Sequence, residues 1–512
     1  MSRLNLRTRH TLYLACAFIP ALLVPLLPFL LGGAPFIGDA WVHLELAEDV
    51  TATGCYSTSS YNERWPLVNL LVAFMMLVGG LSSLQASQVV PLLAGLASLP
   101  LYAVCRRLGL PWGASVLSVL FLTFNPLYPY VTFAGAVMKE TATYYLIMLM
   151  LLVVTLVLKR SSKGWVIPFT LLGLGIVLGH YFAGLVISLF LLALTIYAFF
   201  DRLRGGRPNL FKAFAMATGF LAMFVFWNLL NYLAVGPFFP IFNVTDFTLL
   251  IACFILLWVS LYRDSGVFSS RMPWLAFAAF PIIILGLRGG GYILAQPVEP
   301  ITIWEYRNYL VAAAFSLTGL VLGLRERCLK AYATAAVSLL LFAFLWGHTC
   351  LGFALLIKSL HYFGPLLAVG AAFTAVALVR KGGLGKLLAV AVVVFLIYAS
   401  STGTSLALRG LGVYSRGELE AAQSLPSLSS QVTAYGDTHA SYLFPYASGF
   451  TIVTLKPLEQ LDGNALVILL KPNWEKGFLY DYDWVTKETI APDEQLSVRS
   501  RVYDSAYLQA WL

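Results

Sequence analysis

The chain has 512 residues, 59% of them hydrophobic and only 11% charged, with a mean hydropathy of +0.81. That composition excludes an ordinary soluble domain and fits a protein that crosses a membrane many times. The formal net charge of +9 sits in short basic clusters between apolar runs, the pattern of topology signals, which points to membrane lipids and excludes a nucleic-acid surface.

Arg3, Arg7 and Arg9 precede an apolar run over 11–32, long enough to span and read as an uncleaved first helix. The first outer loop follows over 33–83. It opens on Gly38-Asp39-Ala40-Trp41-Val42-His43, an abrupt polar cluster in an apolar sequence. If this segment is helical, Asp39 and His43 stand at i, i+4 and share a face. Asp39 also stands where an N-cap belongs, so the segment reads equally well as a capped amphipathic helix on the membrane surface. The apolar stretch 66–80 follows Arg64-Trp65-Pro66 and is short, which predicts a helix packed at the outer surface.

Further spans are expected near 84–104, 112–130, 141–158, 165–182, 184–200, 212–233, 247–262, 272–287, 308–324, 331–347, 362–379 and 387–407, giving thirteen in all. With the N-terminus inside, the inner segments carry 20 basic residues and the outer loops only Arg64, Lys139, Arg288, Arg307 and Lys358. The positive-inside rule therefore places the C-terminus outside. His43, His180, His348 and His361, and most of the acids, fall on the outer side. Glu140 lies beside Lys139 in the short second outer loop, and an ionisable group that close to hydrocarbon is a functional candidate, with a snorkelling ion pair as the alternative. His180-Tyr181 reads as an interfacial anchor. Six dispersed cysteines with no C-x-x-C imply neither a disulfide framework nor a zinc site. After about residue 408 charges return and β-rich runs near 431–435, 450–455, 465–471 and 497–503 alternate with helical stretches, which predicts a small soluble α/β domain over 409–512. Asn243-Val244-Thr245 matches a glycosylation sequon.

A first helix leading outward, a long first outer loop opening with Gly38-Asp39-x-x-x-His43, Arg64-Trp65-Pro66 at its end, and Lys139-Glu140 in the second outer loop resemble the GT-C superfamily. These are membrane glycosyltransferases that use polyprenyl-phosphate-linked sugars. The layout is similar to that of the single-subunit oligosaccharyltransferases. The resemblance implies a helical membrane domain over 1–408 and a sugar transfer to a hydroxyl acceptor at the outer face, with Asp39 as general base and Glu140 and His43 beside it. Lys139, Arg307, Lys358, His361 and Arg64 are the cations available for the donor phosphate, with His180 and Tyr181 as lining residues. Two features of the oligosaccharyltransferases are missing. No W-W-D-Y-G motif is present, Asn473-Trp474-Glu475 and Tyr482-Asp483-Trp484 being its poor counterparts, and Met138-Lys139-Glu140 stands where that family has D-x-D. This favours the transferases that move a single sugar and need no cofactor. Mn²⁺ or Mg²⁺ on Asp39, His43 and Glu140 is the alternative. A ligase or polymerase using lipid-diphosphate glycans, and a transporter or flippase for such glycans, are the competing functions. A transporter calls for ionisable groups near the bilayer middle, which this sequence does not offer.

Overall fold

The structure is a computed structural model. It describes residues 6–57, 62–124, 133–159, 164–206, 209–236, 244–262, 315–317, 319, 327–345, 350–409, 414–425, 433–449, 451–454, 465–472, 479–480, 487–488, 496 and 499–512. Arg307, Asn243, His348 and the segments around Trp474 and Asp483 lie outside these residues.

The first span begins as α1 (Leu6–Leu23), tightens into one turn of 3₁₀ helix at Val24–Leu26 and ends as α2 (Leu27–Gly32). Prolines at 20, 25 and 28 withdraw backbone donors along it, which accounts for the interruption. The next segment holds α3 (Asp39–Thr53) and α4 (Leu67–Gly79). They pack on each other, burying Ala40, Leu44 and Ala47 of one and Val68, Val72 and Ala73 of the other in a shared core. The short apolar stretch is therefore a helix held against α3. The expected span 84–104 is three consecutive pieces, α5 (Ser83–Ser87), α6 (Val89–Leu96) and α7 (Ser98–Arg107). Gly95 lets α6 lie against the first span, since a Cβ there would come within 2.6 Å of the Ala21 carbonyl oxygen.

The remaining long elements are α8 (Trp112–Thr123), α9 (Lys139–Lys159), α10 (Val166–Gly179), α11 (Tyr181–Leu203), α12 (Leu210–Val235), α13 (Val244–Tyr262), α14 (Arg327–Leu345), α15 (Cys350–Arg380) and α16 (Gly383–Arg409). Among the described residues, seven helical stretches are long and apolar enough to cross a membrane: His10–Gly32, Ser83–Arg107, Lys139–Leu158, Tyr181–Leu203, Leu210–Val235, Lys358–Arg380 and Gly383–Thr402. The expected span 272–287 lies outside the described residues, as does most of 308–324. The most apolar window of Lys358–Arg380 is 72% buried and that of Leu210–Val235 only 22%, so α15 is central and α12 peripheral. Phe211, Val225 and Phe226 accordingly face outward from α12, where hydrocarbon would cover them.

Strands appear only toward the C-terminus among the described residues. β1 (Ala434–Gly436), β2 (Ile452–Thr454), β3 (Leu466–Leu470), β6 (Arg501–Asp504) and β7 (Leu508–Trp511) form a sheet in the order β2-β1-β3-β7-β6. β4 (Leu479–Tyr480) and β5 (Lys487–Glu488) pair separately. β1 is parallel to both β2 and β3, and the crossover from β1 to β2 is made by α18 (Thr438–Ser448), which follows α17 (Arg416–Ser424). β3 is buried along its whole length, as its unbroken Leu-Val-Ile-Leu-Leu run implies for a strand covered on both faces.

This region packs on α3 and α5. Trp41 of α3 is fully buried, edge-on to Tyr414 at 5.3 Å between centroids and against Tyr446 at 5.1 Å. Tyr414 in turn stacks on His439 at 3.5 Å. Ser83 and Tyr446 share a 2.8 Å hydroxyl hydrogen bond. Residues of α3, α4, α17, α18 and β3 belong to a single hydrophobic core, so the sheet region packs with α3 and α4 as one unit.

Candidate active site

The segment before α3 and the segment before α9 meet at a parallel bridge between Phe36 and Ala136. Three residues past the first is Asp39, and four past the second is Glu140. This bridge brings Asp39 near Glu140.

The approach to Asp39 is unusual. Ile37 adopts φ +72°, a left-handed conformation that a β-branched residue rarely takes. Gly38 then occupies the N-cap position with helical angles, φ −57° and ψ −41°, and no side-chain cap hydrogen bond is made. Asp39 is the first residue of the helix, which corrects the expectation that its carboxylate is an N-cap. The Tyr442 ring of α18 lies against Gly38, the residue before it, where a Cβ would come within 2.5 Å of Tyr442 Cδ2. Burial first, and the Glu140 carboxylate second, push the Asp39 carboxyl above its ordinary range, while the Lys358 and Lys139 charges pull it back. A carboxyl held up in this way is a better base than one in water.

His43 lies one turn further along α3 and is 1% exposed. Its Nδ1 is 2.7 Å from the Asn69 Oδ1 of α4. Since that oxygen can only accept, Nδ1 donates and Nε2 keeps its lone pair. Burial, then the Lys139 charge, lower His43 to about 4, so the ring is neutral at physiological pH. Asn69 is held in turn by the Tyr56 hydroxyl at 3.1 Å.

Lys139 and Glu140 form the first turn of α9, where the aligned peptide dipoles favour an anion. Both are 4% exposed, which removes the reading of a snorkelling surface pair. Glu140 Oε1 lies 2.5 Å from Lys358 Nζ of α15 and 3.3 Å from His180 Nε2. Lys139 donates to Asn62 Oδ1 at 2.7 Å and stands over the Trp65 ring, 5.3 Å from its centroid. The neighbouring Met138 is partly buried against the apolar core. His361, one turn from Lys358, stacks on Phe133 at 4.0 Å. Lys358 and His361, expected just ahead of a span, lie within the long α15 helix.

Asp39, His43, Lys139, Glu140, His180, Lys358 and His361 therefore gather at one place, from α3, α9, the α10–α11 junction and α15. Tyr181 sits beside it, edge-on to Trp65 at 6.4 Å. Arg64 is turned elsewhere: its guanidinium donates to the carbonyls of Val235 and Gly236, at 3.3 and 3.4 Å, closing the C-terminal end of α12. Arg307 lies outside the described residues. Sequence reasoning missed Tyr442, Asn69, Asn62 and Trp65. Asn69 did carry a signal, as a lone amide inside the apolar run of α4; a tyrosine in the C-terminal region carried none.

No protein-family model matches the chain, and no curated protein matches it in sequence. Solved structures do match in fold. The apo oligosaccharyltransferase of Archaeoglobus fulgidus superposes with a TM-score of 0.60 at 14% identity, over 91% of this chain and 70% of that one. The same archaeal enzyme, AglB, in complex with an inhibitory peptide and a dolichol-phosphate gives 0.59, also at 14% identity and with the same coverage. A third, tethered to an acceptor peptide containing the NVT sequon, gives 0.57 at 15% identity over 88% of this chain and 64% of that one. The chain has the GT-C fold. It spans about two thirds of the length of these archaeal structures. The GT-C likeness covers the helices and extends into the sheet region, since it takes in nine tenths of the chain.

Proposed function

We propose that the chain transfers a sugar from a polyprenyl-phosphate-linked donor to a hydroxyl acceptor at the outer membrane face, with Asp39 as the general base. The observation that carries this reading is the meeting of Asp39 with the Glu140, Lys358 and His180 cluster in a site buried from bulk water. The carboxylate of Asp39 takes the acceptor hydroxyl proton as that oxygen bonds to the anomeric carbon. The bond from that carbon to the phosphate oxygen breaks on the opposite face, so the configuration inverts. The departing phosphate carries the electron pair away, and Lys358, Lys139 and His361 are the groups that meet it. Glu140 holds Lys358 in place through their 2.5 Å ion pair, and His43 and His180 complete the wall. The AglB neighbour complexed with a dolichol-phosphate supports a donor of this chemistry.

The donor set fits a divalent ion poorly. Glu140 is already paired with a lysine, the Nδ1 of His43 is committed to Asn69, and Lys139 brings a second positive charge to the same place. Among the described residues no group of three His, Cys, Asp or Glu side chains is arranged to hold a metal. One archaeal neighbour is a complex with Zn and sulfate. The reading here is transfer in which lysines supply the positive charge. The missing second acid and the missing W-W-D-Y-G motif favour a single sugar over an oligosaccharide. We take residues 1–408 as the catalytic membrane domain and 409–512 as an extracytoplasmic domain, with the N-terminus cytoplasmic.

The test is a transfer assay of the purified protein with polyprenyl-monophosphate and polyprenyl-diphosphate sugars in parallel, each with and without EDTA. Turnover of the monophosphate donor that survives chelation is expected. Turnover of the diphosphate donor alone would favour the ligase or oligosaccharyltransferase reading. Movement of either lipid across a vesicle membrane without transfer would favour a transporter.

A further inference from the structure

α11 meets the candidate site at its first turn, beside His180 and Tyr181. The helix runs on for 23 residues, so its last two turns lie about 20–30 Å further along the axis, near the opposite surface of a hydrocarbon core about 30 Å thick. There a groove of about 690 Å³ opens on the flank of the bundle, between α11 and the first turns of α12. Its walls include Ile196, Phe199 and Arg202 of α11 and Leu210, Phe211 and Phe214 of α12. The α11 wall is fixed from behind. Phe200 packs edge-on to Phe199 at 5.5 Å and against Trp258 of α13 at 5.0 Å. Tyr197 lies against the same indole at 5.9 Å and shares a 3.1 Å hydrogen bond with the Thr334 hydroxyl of α14. Thr195, also in the lining, donates its proton back to the Leu191 carbonyl at 2.8 Å and does not offer it to the groove.

The front of the groove is uncovered: Phe199, Phe211 and Phe214 are exposed, Phe211 by 81%. In a chain that spans a membrane these rings face hydrocarbon, and an acyl chain fills such a concave apolar surface at less cost than water does. Charge at the mouth then selects the headgroup. Arg202 lines the groove itself, and Arg204 and Lys212 follow on the α11–α12 turn. Asp201 is the one acid from 201 to 212, and Arg327 of α14 pairs with it. The described residues give the Arg202 guanidinium neither an ion pair nor a hydrogen bond, so its planar fork is open to a phosphate.

We propose that this groove is a second lipid site, holding one acyl chain of an anionic phospholipid with its phosphate on Arg202, in the leaflet opposite the candidate active site. From Thr195 to Arg202 the wall is about 10 Å long, which takes the headgroup-proximal part of one chain and stays within one leaflet. The site is independent of the transfer reaction, since it lies at the other end of α11 from His180, Glu140 and Lys358.

Native mass spectrometry of the purified full-length protein, titrated in detergent with phosphatidylglycerol and, separately, with phosphatidylcholine of the same chains, measures retention of each lipid. Wild type is expected to hold the anionic lipid more tightly. Arg202→Gln should weaken that binding about five-fold, the worth of one basic residue at an anionic surface, and move phosphatidylcholine less. Arg380→Gln removes an exposed charge from the last turn of α15, at the same end of the bundle, and is expected to leave both lipids as they are. Ile196→Trp fills the groove and should weaken both. Should it fold poorly, Phe214→Trp fills the groove from the opposite wall. A phosphatidylglycerol with a diazirine in its chain should label the peptides carrying Phe199 and Phe211. Equal retention of the two lipids by wild type, or equal losses in Arg202→Gln and Arg380→Gln, would overturn the site and leave only a general attraction to basic residues. Displacement of phosphatidylglycerol by an equal amount of polyprenyl phosphate would overturn it too, because the groove would then belong to the donor's tail. Labelling confined to other helices would show the groove covered by protein and sink the proposal.

Discussion

The pair Glu140–Lys358 offers the sharpest test of how the site is held together. Glu140 Oε1 and Lys358 Nζ are 2.5 Å apart, with the carboxylate 5% and the ammonium 33% exposed. At an effective dielectric near 20, two unit charges at that distance attract by about 6–7 kcal/mol before desolvation. Desolvation and lysine ordering take back much of this, and Lys358 is partly wetted, so a net coupling of about 2–3 kcal/mol is expected. Lys358→Met strands a buried carboxylate with His180 as its nearest remaining partner, and should destabilise the protein by about 3 kcal/mol. Glu140→Gln removes the charge that needs Lys358, so the double variant should be less damaged than the sum of the two single ones. Equilibrium unfolding by SDS titration in mixed micelles measures all four corners of the cycle. Additivity within about 0.5 kcal/mol would refute the ion pair as an organising contact, and Lys358 would then be free to serve the donor phosphate alone.

Asp39→Asn should lower transfer by about 10²- to 10⁴-fold while donor-lipid binding is kept, because an amide cannot accept the proton. Near-normal turnover would move the base to Glu140. His43 is held neutral by burial, with its pKa lowered to about 4, while in the unfolded chain it titrates near 6.5. The unfolded state therefore binds the extra proton first, and stability from this group is lost as pH falls below 6.5, levelling off below about 4. Between pH 7.5 and 5 the loss is about 2 kcal/mol, and His43→Gln should abolish it; an unchanged pH dependence in that variant would refute the buried neutral histidine. Cysteines placed beside Glu63 and Asp437 should react with an impermeant reagent from outside and one beside Arg204 should not. Protection of the first two would reverse the orientation of the site.

Much of this protein was written in its composition. The apolar runs foretold α9, α11 and α12 closely, since a helix in hydrocarbon satisfies its own backbone and depends little on partners. The β-rich runs foretold β1, β2, β3 and β6, but β7, a short antiparallel return, was invisible until β3 and β6 stood on either side of it. Charge in an apolar sequence singled out Asp39, Glu140, Lys139 and Lys358, because an ionisable group near hydrocarbon needs a reason. Local sequence could not say what each charge faces. Arg64 lay among the same outer charges and turned to the end of α12, while Glu140 found Lys358 more than two hundred residues away. Asp39 fitted an N-cap by position alone, and only the fold showed Gly38 in that place, with Tyr442 of α18 packed against it. Periodicity and hydropathy are properties of neighbours in sequence. The partners of a buried charge are set by which helices the fold brings together, and that was decided by tertiary structure.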